Sequence, residues 1–320
     1  MVKLSAFKNQ RLIKKSKKKG FFNRRKDGWQ LYVMILLPFI HLLIFSYQPM
    51  YGLQMAFRNF SPLQGFWGSP WVGLAHFSRF IDSHMFQRVL TNTLRISIYG
   101  LLAGFPMPII LALSLNYITR RRYAKIVQTT TFLPHLISTV VMVGIIVQFL
   151  QVRDGVLNNA IYFLFGTRIN FLGSADLFTH MFVWTGIWQG MGNAAIIYIA
   201  ALAGVDTSLH EAAIIDGATK LKRIRHIDLP SIAPTITILF ILSMGNIMSV
   251  GFERVFLLQN PLNLSASEVI ATYVFRIGLI APIPQWSFAA AIGLFQSVIG
   301  LIMLLIVNQV AKKINGSGLW

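Results

Sequence analysis

Between two long apolar runs the chain carries EAAIIDGATKLKRIRHIDLP, residues 211–230, which holds Glu211, Asp216, Lys220, Lys222, Arg223, Arg225, His226 and Asp228. Charge at that density cannot lie in hydrocarbon, where neither ions nor open backbone groups are solvated, so the stretch is an aqueous loop held at a membrane surface. It is nevertheless patterned as structure. Leu209 to Ile215 reads as a short helix, Asp216-Gly217 as its stop, and Ala218 to Leu229 as a second helix ending before Pro230. In that second helix Leu221, Ile224 and Asp228 share a face. Two short helices joined at a glycine outside a membrane make a knob suited to a partner's groove.

The rest of the chain agrees with a membrane setting. Of 320 residues 55% are hydrophobic and 12% charged, which describes a polytopic membrane protein rather than a soluble domain. Cysteine is absent, which excludes disulfides, thiolate metal sites and cysteine nucleophiles. The net charge of +19 is concentrated: eleven Lys and Arg residues fall in the first 26 positions. A basic tail beside a span is an orientation signal and an anionic-lipid anchor, which argues against nucleic acid as the partner.

The pattern divides into a basic tail over residues 1–28, a six-span membrane domain over 29–313 and a short tail over 314–320. The first span, about Leu31 to Tyr51, is expected to stay uncleaved and to be kinked or ended by Pro38 and Pro49. The others are expected near Thr93–Tyr117, Val127–Leu150, Leu177–Leu202, Ala233–Leu258 and Trp286–Val310. Residues 59–88, rich in Gly, Pro, Trp and Phe, form one external connection, in which Trp67 and Trp71 suit an interfacial belt. VLNNAIYFLF, residues 156–165, reads as an interfacial helix in another. With the N-terminal tail inside, six spans place Arg120, Arg121, Arg122 and Lys125, the 211–230 loop and Lys312 and Lys313 on the same side. Together these hold 21 of the 29 basic residues, so both termini and the charged loop are expected in the cytoplasm.

No phosphate loop, H-E-x-x-H or G-x-S-x-G motif occurs, and the seven histidines show no metal-ligand spacing. The chain is therefore read as non-catalytic, with no cofactor or metal of its own. A path for solute remains. Asn246, Ser249 and Glu253 recur at helical spacing in the fifth apolar run, and Trp184, Trp188 and Gln189 form a mixed aromatic and amide surface in the fourth. Amides that bond hydroxyls beside aromatic planes suit a sugar. Glue between packed helices is an equal reading for any one of them.

Glu211-Ala212-Ala213, then Gly217, then nine residues, then Ile227-x-Leu229-Pro230, resembles the coupling-loop signature of ABC importer permeases. Those relatives often carry aromatics near Leu221 and Arg225, where this chain has none. YQPMYGLQMAFRNF (47–60), SPWVGLAHF (69–77) and GFERVFLLQNP (251–261) are similar to segments of the carbohydrate-type permeases, closest to a polysaccharide or lipoprotein-transport-like subgroup. The resemblance implies an all-α membrane protein with the six-span type I ABC importer permease fold. The loop, with Glu211, Ala212, Ala213, Asp216, Gly217, Ile227, Leu229 and Pro230, is then the coupling helix inserted into a cytoplasmic ATPase. It further implies a second permease subunit, usually a different chain, two ATPase subunits that bind ATP and magnesium, and a solute-binding protein that delivers oligosaccharide across a bacterial cell membrane. A peptide or amino-acid importer would share the coupling loop. An ion-coupled secondary transporter would need midspan acids and internal repeats, and neither is evident.

Overall fold

A computed structural model describes residues 29–316, 318 and 319. The basic tail read over residues 1–28 lies outside the described residues. Among them there is no strand, only helices, turns and one isolated antiparallel bridge between Arg58 and Trp71. The chain separates into one unit up to Gln54 and a second from Met55. The apolar helix α1 (Gln30–Phe57), most of which belongs to the first unit, has no buried residue along its most hydrophobic stretch. A helix apolar on every side is a membrane span.

The second unit runs through α2 (Ala75–Ile81), α3 (His84–Asn116), α4 (Arg121–Leu136), α5 (Thr139–Leu150), α6 (Val156–Phe165), α7 (Ala175–Ala203), α8 (Thr207–Ile215), α9 (Lys220–Gly245), α10 (Phe252–Leu258), α11 (Ile270–Ile280) and α12 (Trp286–Lys313). Among the described residues five helices, α1, α3, α7, α9 and α12, are long and apolar enough to cross a bilayer. A sixth crossing exists only if α4 and α5 act together, and they meet at a bend of 102°. The straight span expected over 127–150 is therefore broken. At about 1.5 Å per residue each half is too short for hydrocarbon about 30 Å thick. Pro134 tightens the chain into a 3-10 turn, Ile137 becomes extended, and the Ser138 side chain caps the new helix at the Val141 N–H. From α7, the Gln189 side chain donates to the Ile137 carbonyl at 3.3 Å. Gly192 lets α7 pack directly on the backbone of Thr131, where a Cβ would collide.

Proline does not end the helices where the sequence led us to expect it. Pro38 lies inside a helix, and α9 continues through Pro230 and Pro234. A widened turn precedes proline at three places. Wide π turns at Leu43–Tyr47, Ile224–Asp228 and Arg276–Ile280 close with the N–H of Gln48, Leu229 and Ala281, and the next residue is Pro49, Pro230 or Pro282. Proline brings no N–H and its ring collides with the carbonyl four residues back, so a widened turn before it removes the clash: the helix runs on through Pro49 and Pro230, whereas α11 ends before Pro282, where Ala281 turns extended.

Gly100 and Gly104 of α3 face Val183 and Ile187 of α7, at 4.0 and 3.4 Å from a notional Cβ, and bring those helices close. Ala112, Leu113, Ala195, Tyr198, Leu202 and Ile232 form the core at one end of α3, α7 and α9. Towards the other end Met142, Phe178, Val255 and Val269 form a second core, with a third around Phe80, Val89, Ile270 and Ile292.

The connections at that end are tied by buried asparagines. Asn158 of α6, fully buried, donates to the carbonyls of Leu150, Gln151 and Ile169 at 3.0–3.1 Å and accepts the Ile169 N–H at 2.8 Å. Asn263 donates in the same way to Leu172 and Leu258, and Asn92 to Ser265 and Glu268. We expect Asn158→Ala to lower stability by about 2–4 kcal/mol, since it strands several buried backbone groups. Asn158→Asp should not rescue it, because a carboxylate can accept from Ile169 but donate to none of the carbonyls. Thermal unfolding of the detergent-solubilised protein checks both, and an Asn158→Asp variant as stable as the wild type would overturn the account.

Candidate functional site

The charged loop is a helix–turn–helix whose turn chemistry is complete. Asp206 caps α8 by accepting the Ser208 N–H at 2.9 Å, and that bond holds its carboxyl below the usual carboxylate range. At the far end Gly217 adopts φ +72°, its N–H bonds the Ile214 carbonyl, and the Ala218 N–H bonds the Ala213 carbonyl. This pair of bonds is the Schellman ending, and the left-handed residue within it is the position that glycine occupies without strain. The Thr219 side chain then caps α9 at the Lys222 N–H.

The second helix runs on into the membrane as α9 instead of stopping before Pro230. Glu211, Ala212 and Asp216 are exposed, and Ala213 and Ile227 half-buried. Leu229 packs against the core at this end of the bundle, with Pro230 exposed beside it. Ile214, Ile215 and Leu221 are exposed although apolar, Ile215 at 86%. Leu221 therefore leaves the face that Ile224 and Asp228 share.

Asp228 was visible in the sequence only as an acid on an apolar face, and the structure explains it. Its carboxylate is fully buried and accepts the Tyr117 hydroxyl at 2.6 Å. Its other oxygen lies 3.3 Å from His210 Nε2, an ion pair when that imidazole is protonated but outside hydrogen-bond geometry. Tyr117 follows the last residue of α3, and His210 belongs to α8, so one carboxylate joins α3, α8 and α9. Burial, then the Asp228 hydrogen bond and charge, push the Tyr117 hydroxyl up to about 12, which keeps it a donor. The Arg223 guanidinium sits 5.4 Å from the Tyr117 ring centre. Neither Tyr117 nor His210 carries a sequence motif. Only the fold brings them to Asp228.

The expected solute face is rearranged. α9 ends at Gly245, Asn246 is its cap, and the Ser249 N–H bonds the Asn246 carbonyl at 2.8 Å within a turn. Asn246, Ser249 and Glu253 therefore do not share a helical face. Gly245-Asn246 is itself a helix-stop signal, which ends the helix inside the apolar run. The turn still brings Asn246 and Ser249 together, on the wall of a cavity of about 580 Å³ that Ser97, Phe182 and Ser243 also line. Glu253 is exposed outside it, in the first turn of α10.

Trp184 and Trp188 do not line this cavity. They lie on the opposite side of α7 from Phe182, where the Trp184 indole donates to the Tyr99 hydroxyl at 2.8 Å. Gln189 is engaged at the α4–α5 bend. The hydroxyls of Ser97 and Ser243 were missed, being single serines in apolar runs.

Residues 104–316 match the family of binding-protein-dependent transport system inner membrane components. Protein LplB of Bacillus subtilis (strain 168) is 41% identical over 92% of this chain and 92% of its own length. The polygalacturonan/rhamnogalacturonan transport system permease protein YteP of the same organism is 39% identical over 97% of this chain and 96% of its own. A solved chain of a bacterial ABC transporter involved in the import of the acidic polysaccharide alginate superposes with a TM-score of 0.83. It is 39% identical, over 92% of this chain and 99% of that one. The coupling signature, the helices that carry it and these likenesses agree: the chain belongs to the binding-protein-dependent transport system inner membrane components.

Proposed function

We propose that the chain is the membrane-spanning permease subunit of an ATP-driven importer, and forms part of the path for oligosaccharides delivered by an extracytoplasmic solute-binding protein. ATPase subunits, which hold the nucleotide and magnesium, dock on residues 211–230. A second permease subunit, a different chain in this reading, completes the path. The chain itself is non-catalytic and sits in a bacterial inner membrane with both termini in the cytoplasm, where the loop meets its ATPase. The names of YteP and of the alginate transporter support a saccharide cargo.

One observation carries the reading. The capped segment that shows Glu211, Ile214, Ile215 and Leu221 to solvent is tied through Asp228 to α3 and α9, and both helices wall the cavity containing Asn246 and Ser249. A push on the segment therefore reaches the cavity through packed helices. Reconstitution with its partner subunits should give ATP-dependent oligosaccharide uptake, and the isolated chain should hydrolyse no ATP.

Gly217→Pro should abolish transport and ATPase co-purification while membrane insertion persists, because proline cannot adopt positive φ and lacks the N–H that meets Ile214. Gly217→Ala should retain part of the activity, since a left-handed alanine costs only about 1–2 kcal/mol. A Gly217→Pro complex that imports at the wild-type rate would refute the coupling role.

Asn246→Leu tests the cavity. Loss of one hydrogen bond, about 0.5–1.5 kcal/mol, should reduce uptake by a few-fold to about tenfold, with ATP hydrolysis and complex yield retained. Reduced yield with normal uptake per assembled complex would instead make Asn246 a packing residue.

A further inference from the structure

Arg254, in the first turn of α10, lies beside this path. It reaches across to α7, where its Nη2 donates to the Phe182 carbonyl at 2.9 Å and to the Thr185 hydroxyl, and its plane lies 4.7 Å from the Phe182 ring centre. Gly186 makes room for it: a Cβ there would strike Nη1. These contacts fix the guanidinium but leave its charge unbalanced. The ion pairs among the described residues join Arg88 and Arg276 to Glu268 and His210 to Asp228, and none includes Arg254. Its Nε is buried and has no hydrogen-bond partner. A guanidinium held inside a bundle of spans without a counter-charge is costly, and such groups mark solute or ion paths.

Its position gives that charge a use. Arg254 lines a cavity of about 340 Å³ in company with Gly186 and Gly190. This space adjoins the one containing Asn246 and Ser249, the two sharing Gly100, Gly104, Phe182 and Ala194 as walls. One side of the combined path offers hydroxyl and amide groups and the other a planar cation. With Nη2 engaged and Nε buried, Nη1 is the donor left to meet a carboxylate.

We propose that Arg254 is a specificity-determining residue that binds the carboxylate of a uronate-bearing oligosaccharide in transit, so that this importer selects acidic over neutral saccharides. The inference rests on the oligosaccharide-permease reading above and names its substrate class.

The test uses the complete reconstituted transporter with an oligogalacturonate and its fully methyl-esterified, neutral counterpart of equal length. The acid should be taken up faster by about 10- to 100-fold, the range expected for a charge-assisted hydrogen bond. Arg254→Gln should erase that preference while uptake of the neutral ester persists, and Arg254→Lys should restore part of it. Phenylglyoxal labelling of the wild-type complex reads the same contact without a variant: the oligogalacturonate should protect Arg254 and the ester should not. Equal uptake of acid and ester by the wild type, or equal protection by both, would overturn the proposal and leave the oligosaccharide reading standing. A preference that survives Arg254→Gln would overturn the residue assignment. Import of neither saccharide would overturn this inference together with the reading beneath it.

Discussion

A carboxylate buried where a soluble segment enters a membrane holds this architecture together. Asp228 has given up its hydration, and a tyrosine hydroxyl from the end of α3 and a histidine from α8 replace it. Removing a carboxylate from water is tolerated only with such partners. The arrangement therefore works in one register of the three helices, and a shift of α8 by one residue would leave the acid uncompensated. That gives the exposed helix–turn–helix a fixed attachment to two walls of the cavity, where a flexible loop would absorb any displacement. The Arg223 guanidinium beside Tyr117 adds a cation to the same junction.

The same stretch shows how this chain handles proline. Asp228 is the last residue of a π turn, Leu229 closes it, and Pro230 follows. The same turn precedes Pro49, where the helix continues, and Pro282, before which α11 ends. At Pro230 the widened turn lets helix α9 enter the membrane without interruption, so that charged residues 220–228 and the span are one continuous helix. A break there would have separated the docking surface from the cavity wall.

The sequence made the class of fold legible because hydrocarbon leaves few options. Long apolar runs and the glycine at 217 point to spans and to the turn between two short helices. The errors lie where local chemistry overrides periodicity. Pro134 and Ser138 rebuild the third apolar run as two helices meeting at 102°, a geometry that hydropathy cannot register because both halves remain apolar. Gly245-Asn246 stops α9 within what reads as one apolar stretch. Trp184 and Trp188 lie away from the cavity that holds Asn246 and Ser249, which no property of a single helix reveals. Tyr117 and His210 were invisible for a related reason, since their meaning arises from a contact between segments distant in sequence.

The early end of α9 carries the remaining physical argument. A span that stops inside a bundle exposes backbone groups, and hydrocarbon does not tolerate them unless protein or a polar cavity receives them. Here both do. The Asn246 and Ile247 N–H groups bond back to Ser243 and Met244, the Met248 carbonyl accepts the Gln296 side chain at 2.7 Å, and Ser249 opens to the cavity. Gly245 and Gly300 let α12 approach the broken end: a Cβ on Gly300 would lie 2.9 Å from the Gly245 carbonyl, and one on Gly245 would strike Leu304. The cavity thus permits the break, and the break supplies the cavity with polar groups that an unbroken helix would have used in its own ladder.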